Sequence, residues 1–135
     1  MELRTPNRPV TASADPDRVR QIIRILLDNA LTHTPEGTKV IMTANTVANR
    51  TELTVSDVGP GIAPRIQGRI FERFYTANSS GGSGLGLAIA SELAHRMQGR
   101  IRITSNKRFT AFTLELPPVR GKEATVEPLR VGAGA

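Results

Sequence analysis

The sequence contains no cysteine, which excludes disulfides, thiolate catalysis and zinc sites built on cysteine. It also lacks tryptophan, and its aromatic content is only 4%. The core must therefore be built mainly from Leu, Ile, Val and Ala. So few aromatic side chains also argue against a surface that stacks nucleic-acid bases. The absence of cysteine is compatible with a reducing cytosol, and we expect a cytoplasmic protein.

Long apolar runs are missing as well, since none approaches the roughly 20 residues that a helix needs to cross a bilayer. The N-terminus carries arginine and lacks the apolar stretch of a signal peptide. We therefore expect a soluble protein whose own residues make no direct membrane contact. A length of 135 residues with 39% apolar content predicts one compact domain.

The formal net charge is +6, which makes an anionic partner plausible. The basic residues are scattered from Arg4 to Arg130 and form no dense cluster. This distribution is more typical of a solvated basic surface than of a nucleic-acid groove, so no nucleic-acid partner is predicted. A phosphorylated small ligand needs only a few of these charges.

The order of predicted elements indicates an α+β fold, a two-layer α/β sandwich with helices packed on one face of a mixed β-sheet. An extended lead-in of residues 1–14 precedes a helix that Asp15 caps and Pro16 opens. Residues 1–117 are expected to form the domain, and residues 118–135 a disordered tail. The remaining predicted elements are a helix at 16–33, strands at 39–46 and 51–56, a short helix near 65–71, a helix from 84 to 99, and strands around 101–103 and 112–116.

Four glycines, Gly81, Gly82, Gly84 and Gly86, stand directly before the second long helix. A helix start collects unpaired N–H groups and the positive end of the dipole, and bare backbone can approach phosphate oxygens closely. The same stretch is equally compatible with a flexible surface linker, because a single glycine string is weak evidence.

A second glycine element, SDVGPGI at residues 56–62, places Asp57 at the end of a predicted strand. A carboxylate there can accept a hydrogen bond from an exocyclic amine such as that of adenine. Gly59 and Gly61 then leave room for a flat ring. The alternative is an ordinary turn, and taken alone this alternative is favoured.

The first long helix carries Ile25, Asn29, Thr32 and His33 on one face. An asparagine among aliphatic side chains is costly unless its amide has a partner. Its amide oxygen is a suitable neutral ligand for Mg²⁺, which usually reaches a protein through one or two oxygens plus phosphates and waters. An asparagine that caps or bridges a loop is the competing interpretation.

Taken together and in this order, these elements resemble the ATP-binding catalytic domain of sensor histidine kinases, in the superfamily that also holds gyrase and heat-shock chaperone ATPases. LLDNALTHTPEG at 26–37 is similar to the N box, and DVGPGI at 57–62 to the first glycine box. FERFY at 71–75 is similar to the F box, and GGSGLGLAIA at 81–90 to the second glycine box. The match spans roughly residues 10–117 and implies a Bergerat fold.

The resemblance implies that ATP and Mg²⁺ bind here, with Asn29 as metal ligand and catalytic residue and Asp57 on the adenine amine. Residues 76–83 would form a lid that is mobile without nucleotide. The last strand lacks the Gly-Thr pair of many relatives, which leaves Thr110 or Thr113 as the adenine-side contact. Besides Asn29 and Asp57, the nucleotide-binding set is His33, Gly59, Gly61, Ile62, Gly82, Ser83, Gly84, Leu85, Gly86 and Thr113.

The roles of some residues in these motifs have two possible interpretations. Phe71 and Phe74 of the F box either brace the lid or simply pack in the core. His33 either approaches a phosphate or the ribose, or is a packed and satisfied histidine. Neither His33 nor His95 has the acidic neighbour of a phosphoacceptor.

The resemblance also implies transfer of the γ-phosphoryl group to a histidine on a separate helical dimerisation domain, with a response regulator downstream. The chain is then either a catalytic fragment of a longer kinase, such as the cytoplasmic part of a membrane-bound sensor, or a stand-alone subunit. Ile25 replaces the polar base of the ATPase branches, so intrinsic hydrolysis should be slow. Thr32 replaces a basic residue common in the N box. An anti-sigma-factor-like Ser kinase and a nucleotide-sensing module without transferase activity are the alternatives.

Overall fold

The computed structural model shows helices on one side of a single larger sheet, with a small strand pair beside it. It describes residues 2–4, 11–12, 14–33, 37–48, 50–59, 61–75, 85–117 and 124–125. The elements are β1 Glu2–Arg4, β2 Thr11–Ala12, α1 Pro16–His33, β3 Val40–Val47, β4 Arg50–Asp57, α2 Pro64–Gln67, α3 Gly86–Arg96, β5 Arg100–Ser105, β6 Thr110–Leu116 and β7 Ala124–Thr125.

Helix α1 begins and ends where the sequence predicts. The backbone N–H of Asp17 donates to Asp15 Oδ1 at 3.0 Å, so Asp15 is the N-cap and Pro16 occupies the first helical position. The predicted apolar stripe faces the interior and is almost fully buried, which shows that the helix forms by packing one face on the sheet. The buried residues of this stripe are Val19, Ile22, Ile23, Leu26 and Ala30.

The main sheet has five strands in the order β1-β3-β4-β6-β5. Strand β1 runs parallel to β3, and the other neighbouring pairs are antiparallel, so the sheet is mixed as predicted. Alternate residues of β4 and β6 point toward α1 and α3 and form the aliphatic core, for example Leu53, Val55 and Leu114. The two-layer α+β prediction is confirmed.

Several element boundaries differ from the prediction by one to four residues. Strand β3 ends one residue later than predicted and β4 begins one residue earlier, so the hairpin turn between them is shorter. Ala48 in this turn has φ 50°. The short helix α2 starts at Pro64 and ends at Gln67, after which the chain continues in turns. The sequence predicts only an extended chain for residues 1–14, whereas residues 2–4 form the edge strand β1. Pro6 follows this edge strand, where a proline breaks no hydrogen bonds between internal strands.

Strands β2 and β7, one near each end of the chain, form a short antiparallel pair. Thr11 lies opposite Thr125, and Ala12 lies opposite Ala124. Ala124 and Thr125, which belong to the expected disordered tail, therefore form a strand. The rest of residues 118–135 lies outside the described residues, so the tail and the domain limit at 117 stay predictions. Within the described ranges, no helix combines the length and the apolar character that a membrane span requires.

The helix-free face of the sheet is polar and is organised around one buried carboxylate. Glu115 is only 4% exposed, and its oxygens lie 2.6 Å from Arg100 Nε, 2.9 Å from Arg102 Nη1 and 3.7 Å from Arg50 Nη1. The hydrogen bond from Arg100 holds the pKa of Glu115 below its ordinary value. Burial of the carboxyl acts in the opposite direction, and the charges of the three arginines add to the lowering.

Replacing this carboxylate tests how much the cluster stabilises the sheet. Glu115→Gln should lower the free energy of unfolding at pH 7 by about 2 kcal/mol, because buried hydrogen bonds to charged groups are lost. A lowered folded-state pKa contributes stability above the unfolded-state pKa that is lost as the pH falls through the folded value. The difference from wild type in denaturant titrations should therefore shrink below about pH 4. Glu72→Gln, which removes an exposed pair with Arg69, is the control and should change little. Equal losses in the two variants would contradict the prediction.

Candidate functional site

A polar row crosses the helix-facing side of the sheet at one end. Asp57 ends β4 and lies directly opposite Thr110, the first residue of β6, which in turn lies opposite Ser105, the last residue of β5. Asp57 is 7% exposed and Thr110 is 4% exposed. Three adjacent polar side chains, one of them a buried carboxylate, lie here on a mainly apolar face, so this end of the sheet can recognise a polar ligand.

The first glycine loop leaves the sheet next to Asp57 and is fastened at both ends. The backbone N–H of Val58 donates to the Lys39 carbonyl at 3.1 Å. The N–H of Ile62 donates to Ser105 Oγ at 2.8 Å. Between them, Gly59 lies half-buried in a bend. The predicted site residues Asp57, Gly59 and Ile62 therefore lie at this end of the sheet, with hydrogen bonds to it at Val58 and Ile62.

The structure gives Gly61 a role different from the predicted one of leaving room for a base. Its backbone has φ +79°, a conformation that side chains rarely adopt. A Cβ placed there would collide with the Asn106 carbonyl in the turn between β5 and β6. The glycine is thus required for close packing of two backbone segments, whereas room for a base at Gly61 remains a prediction.

Asn29 lies half-buried on α1, one turn after Ile25. A Cβ placed on Gly86, the first residue of α3, would lie 3.4 Å from Ile25 Cγ2. The start of α3 therefore packs against α1 close to Asn29, as the resemblance requires for two motifs that share a ligand. Ile25 acts here as a packing residue between the helices, and its aliphatic side chain offers no base.

The described residues at the start of α3 leave the charge of its helix dipole uncompensated. Leu85 occupies the N-cap position, and within the described part of the chain no side chain caps this end. The first turn contains no acidic residue, so the positive end of the helix dipole is not neutralised from within the helix. The predicted contacts Gly82, Ser83 and Gly84, with the rest of the expected lid at 76–83, lie outside the described residues.

Thr113 is not brought to this site. It lies on the helix-free face, where its Oγ1 is 3.0 Å from Thr54 Oγ1. Since side chains alternate along a strand, Thr113 is on the opposite face of β6 from Thr110. Thr110 is therefore the threonine beside Asp57. Counting alternate positions from the core residue Phe112 would have found it.

The aromatic residues of the F box separate in the structure. Phe71 packs edge-on against Phe112, with ring centroids 6.2 Å apart, which supports core packing. Phe74 is 73% exposed and has φ 67°, an unusual conformation for a bulky residue. Its role beside the lid stays a prediction. His33 is the last residue of α1, and its side chain lies outside the described residues.

A shallow cavity of about 470 Å³ lies elsewhere, between the F box and the outer side of α3. None of its lining residues belongs to the predicted nucleotide set. Its two arginines already pair with Glu92 at 3.1 Å, so it does not compete as the ligand site. The cavity is lined by Phe71, Arg73, Ala88, Ser91, Glu92, His95 and Arg96.

Comparison with known proteins shows the family of this chain. Residues 14–120 match the family described as histidine kinase-, DNA gyrase B-, and HSP90-like ATPase. The chain belongs to this family. The resemblance predicted from the four motifs is thereby confirmed, and the family is one of ATP-binding proteins.

Several named relatives of this chain are sensor histidine kinases, and solved structures with the same fold include a histidine kinase catalytic domain. The probable sensor histidine kinase TcrY of Mycobacterium tuberculosis is 38% identical over 83% of this chain and 25% of its own length. The catalytic domain of histidine kinase ThkA superposes with a TM-score of 0.77 at 27% identity, covering 86% of this chain and 76% of that one. Full-length ShkA, solved in complex with AMPPNP, gives a TM-score of 0.75 at 35% identity, covering 96% of this chain and 27% of that one.

The chain thus spans about a quarter of the length of the curated relatives that it matches. The shared region is the ATPase module of those proteins. The Bergerat fold predicted from the sequence is confirmed by the superposition with the ThkA catalytic domain.

Substitution of Gly61 tests the packing of the glycine loop in this ATPase module. Gly61→Ala should lower the free energy of unfolding by about 3 kcal/mol, because the methyl group meets a backbone carbonyl and the φ angle is unfavourable. Gly37→Ala is the matched control: Gly37 has φ +85° but nothing within 4 Å of a Cβ, so only about 1 kcal/mol of strain is expected. Thermal or urea unfolding measures both. Equal losses would mean that the contact with Asn106 is not the cause.

Proposed function

We propose that this chain binds Mg-ATP and donates the γ-phosphoryl group to a histidine of a separate helical dimerisation domain. The observation that carries the proposal is the buried Asp57 carboxylate beside a fastened glycine loop in a chain of this ATPase family. The names of the relatives, sensor histidine kinases, support a histidine acceptor over the serine acceptor of an anti-sigma-factor-like kinase.

Asp57 and Thr110 form the base end of the proposed site. A carboxylate and a hydroxyl oxygen side by side can accept hydrogen bonds from an amino group on a purine. Gly59, which is half-buried two residues after Asp57, is proposed to leave room for the base. ShkA is described in complex with the ATP analogue AMPPNP, which supports an adenine nucleotide as the ligand of this chain also.

Asn29 and the start of α3 form the proposed phosphate end. The backbone N–H groups of the first turn of α3 suit phosphate oxygens. The described residues contain no group of three acidic, His or Cys side chains for a metal. The amide oxygen of Asn29 fits Mg²⁺, which takes its other ligands from phosphates and water. When bound, Mg²⁺ would neutralise charge on the phosphates.

Phosphoryl transfer then follows from positioning. An imidazole nitrogen of the acceptor histidine attacks the γ-phosphorus in line, and the bond to the β–γ bridging oxygen breaks to release ADP. The residues of this chain hold the nucleotide and exclude alternative orientations, which are the main contributions in such reactions. Ile25 offers no group to activate water, so transfer to imidazole should outpace hydrolysis. A response regulator is the proposed acceptor downstream.

Two variants separate the two ends of the proposed site. Asp57→Asn should weaken ATP binding at least about 10-fold, because the amide presents donors in place of an acceptor. Asn29→Ala should chiefly remove the Mg²⁺ dependence of binding. Calorimetric titration with and without Mg²⁺ measures both. Asp17→Asn and Asn45→Ala, at exposed positions outside the site, are the matched controls. Unchanged titrations for both site variants would contradict the assignment.

Transfer itself is tested with labelled ATP, Mg²⁺ and a dimerisation domain from a related kinase. We expect an acid-labile, base-stable phosphoryl group on that domain, with steady-state release of free phosphate much slower than transfer. The same mixture without the acceptor domain is the control. ATP binding without transfer to the dimerisation domain of any related kinase tested would instead favour a nucleotide-sensing module.

A further inference from the structure

Ser105 lies at the centre of the hydrogen bonds that join the glycine loop to the sheet. It ends β5, next to Thr110 on the helix-facing side. Its Oγ accepts from the Ile62 N–H at 2.8 Å, donates to the Phe109 carbonyl at 3.0 Å and lies 3.0 Å from Thr110 Oγ1. One hydroxyl therefore contacts the first glycine loop, the hairpin turn and the threonine beside Asp57.

The proton of this hydroxyl determines the direction of the remaining hydrogen bond. A serine has one O–H donor and two acceptor lone pairs. For all three contacts of Ser105 Oγ to form together, its single proton must go to the Phe109 carbonyl, which can only accept. In that arrangement Thr110 donates its own proton to Ser105. The oxygen of Thr110 is left as an acceptor only, in the same row as the Asp57 carboxylate.

The turn that carries this hydroxyl is itself ordered. Asn106 Oδ1 accepts from the backbone N–H groups of Arg108 at 2.8 Å and Phe109 at 3.2 Å. The N–H of Asn106 donates to the Phe109 carbonyl at 3.0 Å, which closes the turn. The carbonyl of Asn106 meets the backbone of Gly61. Ser105 is thus presented to Ile62 from a rigid support.

We propose that Ser105 is a positioning residue of the nucleotide site. It holds residues 57–62 against the sheet through Ile62, and it orients the hydroxyl of Thr110 so that Thr110 accepts rather than donates. Two acceptors at the base end favour a purine with an amino group over one with a carbonyl at that edge. This inference rests on the proposed function, because it assigns Ser105 to the same site.

The test uses Ser105→Ala, with Ser105→Thr as the conservative variant that restores a hydroxyl. Thr104→Ala, an exposed neighbour on the opposite face, is the matched control. ATP and GTP are titrated into each protein, and exchange of the Ile62 amide hydrogen is followed by NMR without nucleotide. Melting temperatures identify variants with impaired folding.

We expect Ser105→Ala to weaken ATP binding about 5-fold, the size of one lost hydrogen bond, and to reduce the preference for ATP over GTP. The freed Thr110 hydroxyl can then donate to a carbonyl. Exchange at Ile62 should become at least about 5-fold faster for the same reason. Ser105→Thr should return all three readouts to near wild type, and Thr104→Ala should leave them unchanged. Thr110→Val should weaken ATP binding without accelerating exchange at Ile62.

The outcomes separate this inference from the function on which it rests. If wild type binds ATP and Ser105→Ala binds it equally well with the same preference, the inference is wrong and the proposed function stands. Equal impairment of the Ala and Thr variants would also overturn it, because the hydroxyl would not be the cause. If wild type binds neither ATP nor GTP, both the proposed function and the inference fail.

Discussion

The site depends on one close approach, that of the Gly61 backbone to the Asn106 carbonyl. This contact brings the loop after β4 onto the hairpin turn between β5 and β6. It can form only because position 61 has no Cβ and accepts a positive φ angle. Once the two backbones are in contact, the amide of Ile62 reaches Ser105. The loop beside Asp57 is then held by the sheet rather than by its own residues.

Buried polar groups are arranged differently on the two faces of the sheet. On the helix side, the buried carboxylate of Asp57 shares one row with the hydroxyls of Thr110 and Ser105 at one end of the sheet, while Thr51 is buried at the other end of β4. On the open face, Glu115 is buried under arginines that keep it ionised. The first arrangement leaves a recognition surface, whereas the second neutralises its charges internally. This difference explains why the helix side is the side suited to a ligand.

Packing of the helices joins the other end of the site to this row. The start of α3 lies against Ile25 of α1, one helical turn from Asn29, so the proposed phosphate and Mg²⁺ contacts would lie close together. The residue that makes this contact is aliphatic, where the ATPase branches place a base. The same substitution that packs the two helices therefore removes the group that would activate water. A module built in this way lacks a base at this position, and its named relatives include histidine kinases.

Local signals in the sequence determined the helix from Pro16 to His33, the hairpin strands, the layer arrangement and the family. These follow from short-range periodicity, a capping aspartate and motif spacing, which each chain segment carries by itself. The choice between Thr110 and Thr113 was open, because it depends on which face of β6 meets the helices. The roles of Gly61 and Ser105 were not visible either, since Ile62 and Ser105 are 43 residues apart in the chain. Only the tertiary structure decided these points, because a backbone contact between distant turns leaves no periodic pattern in either segment.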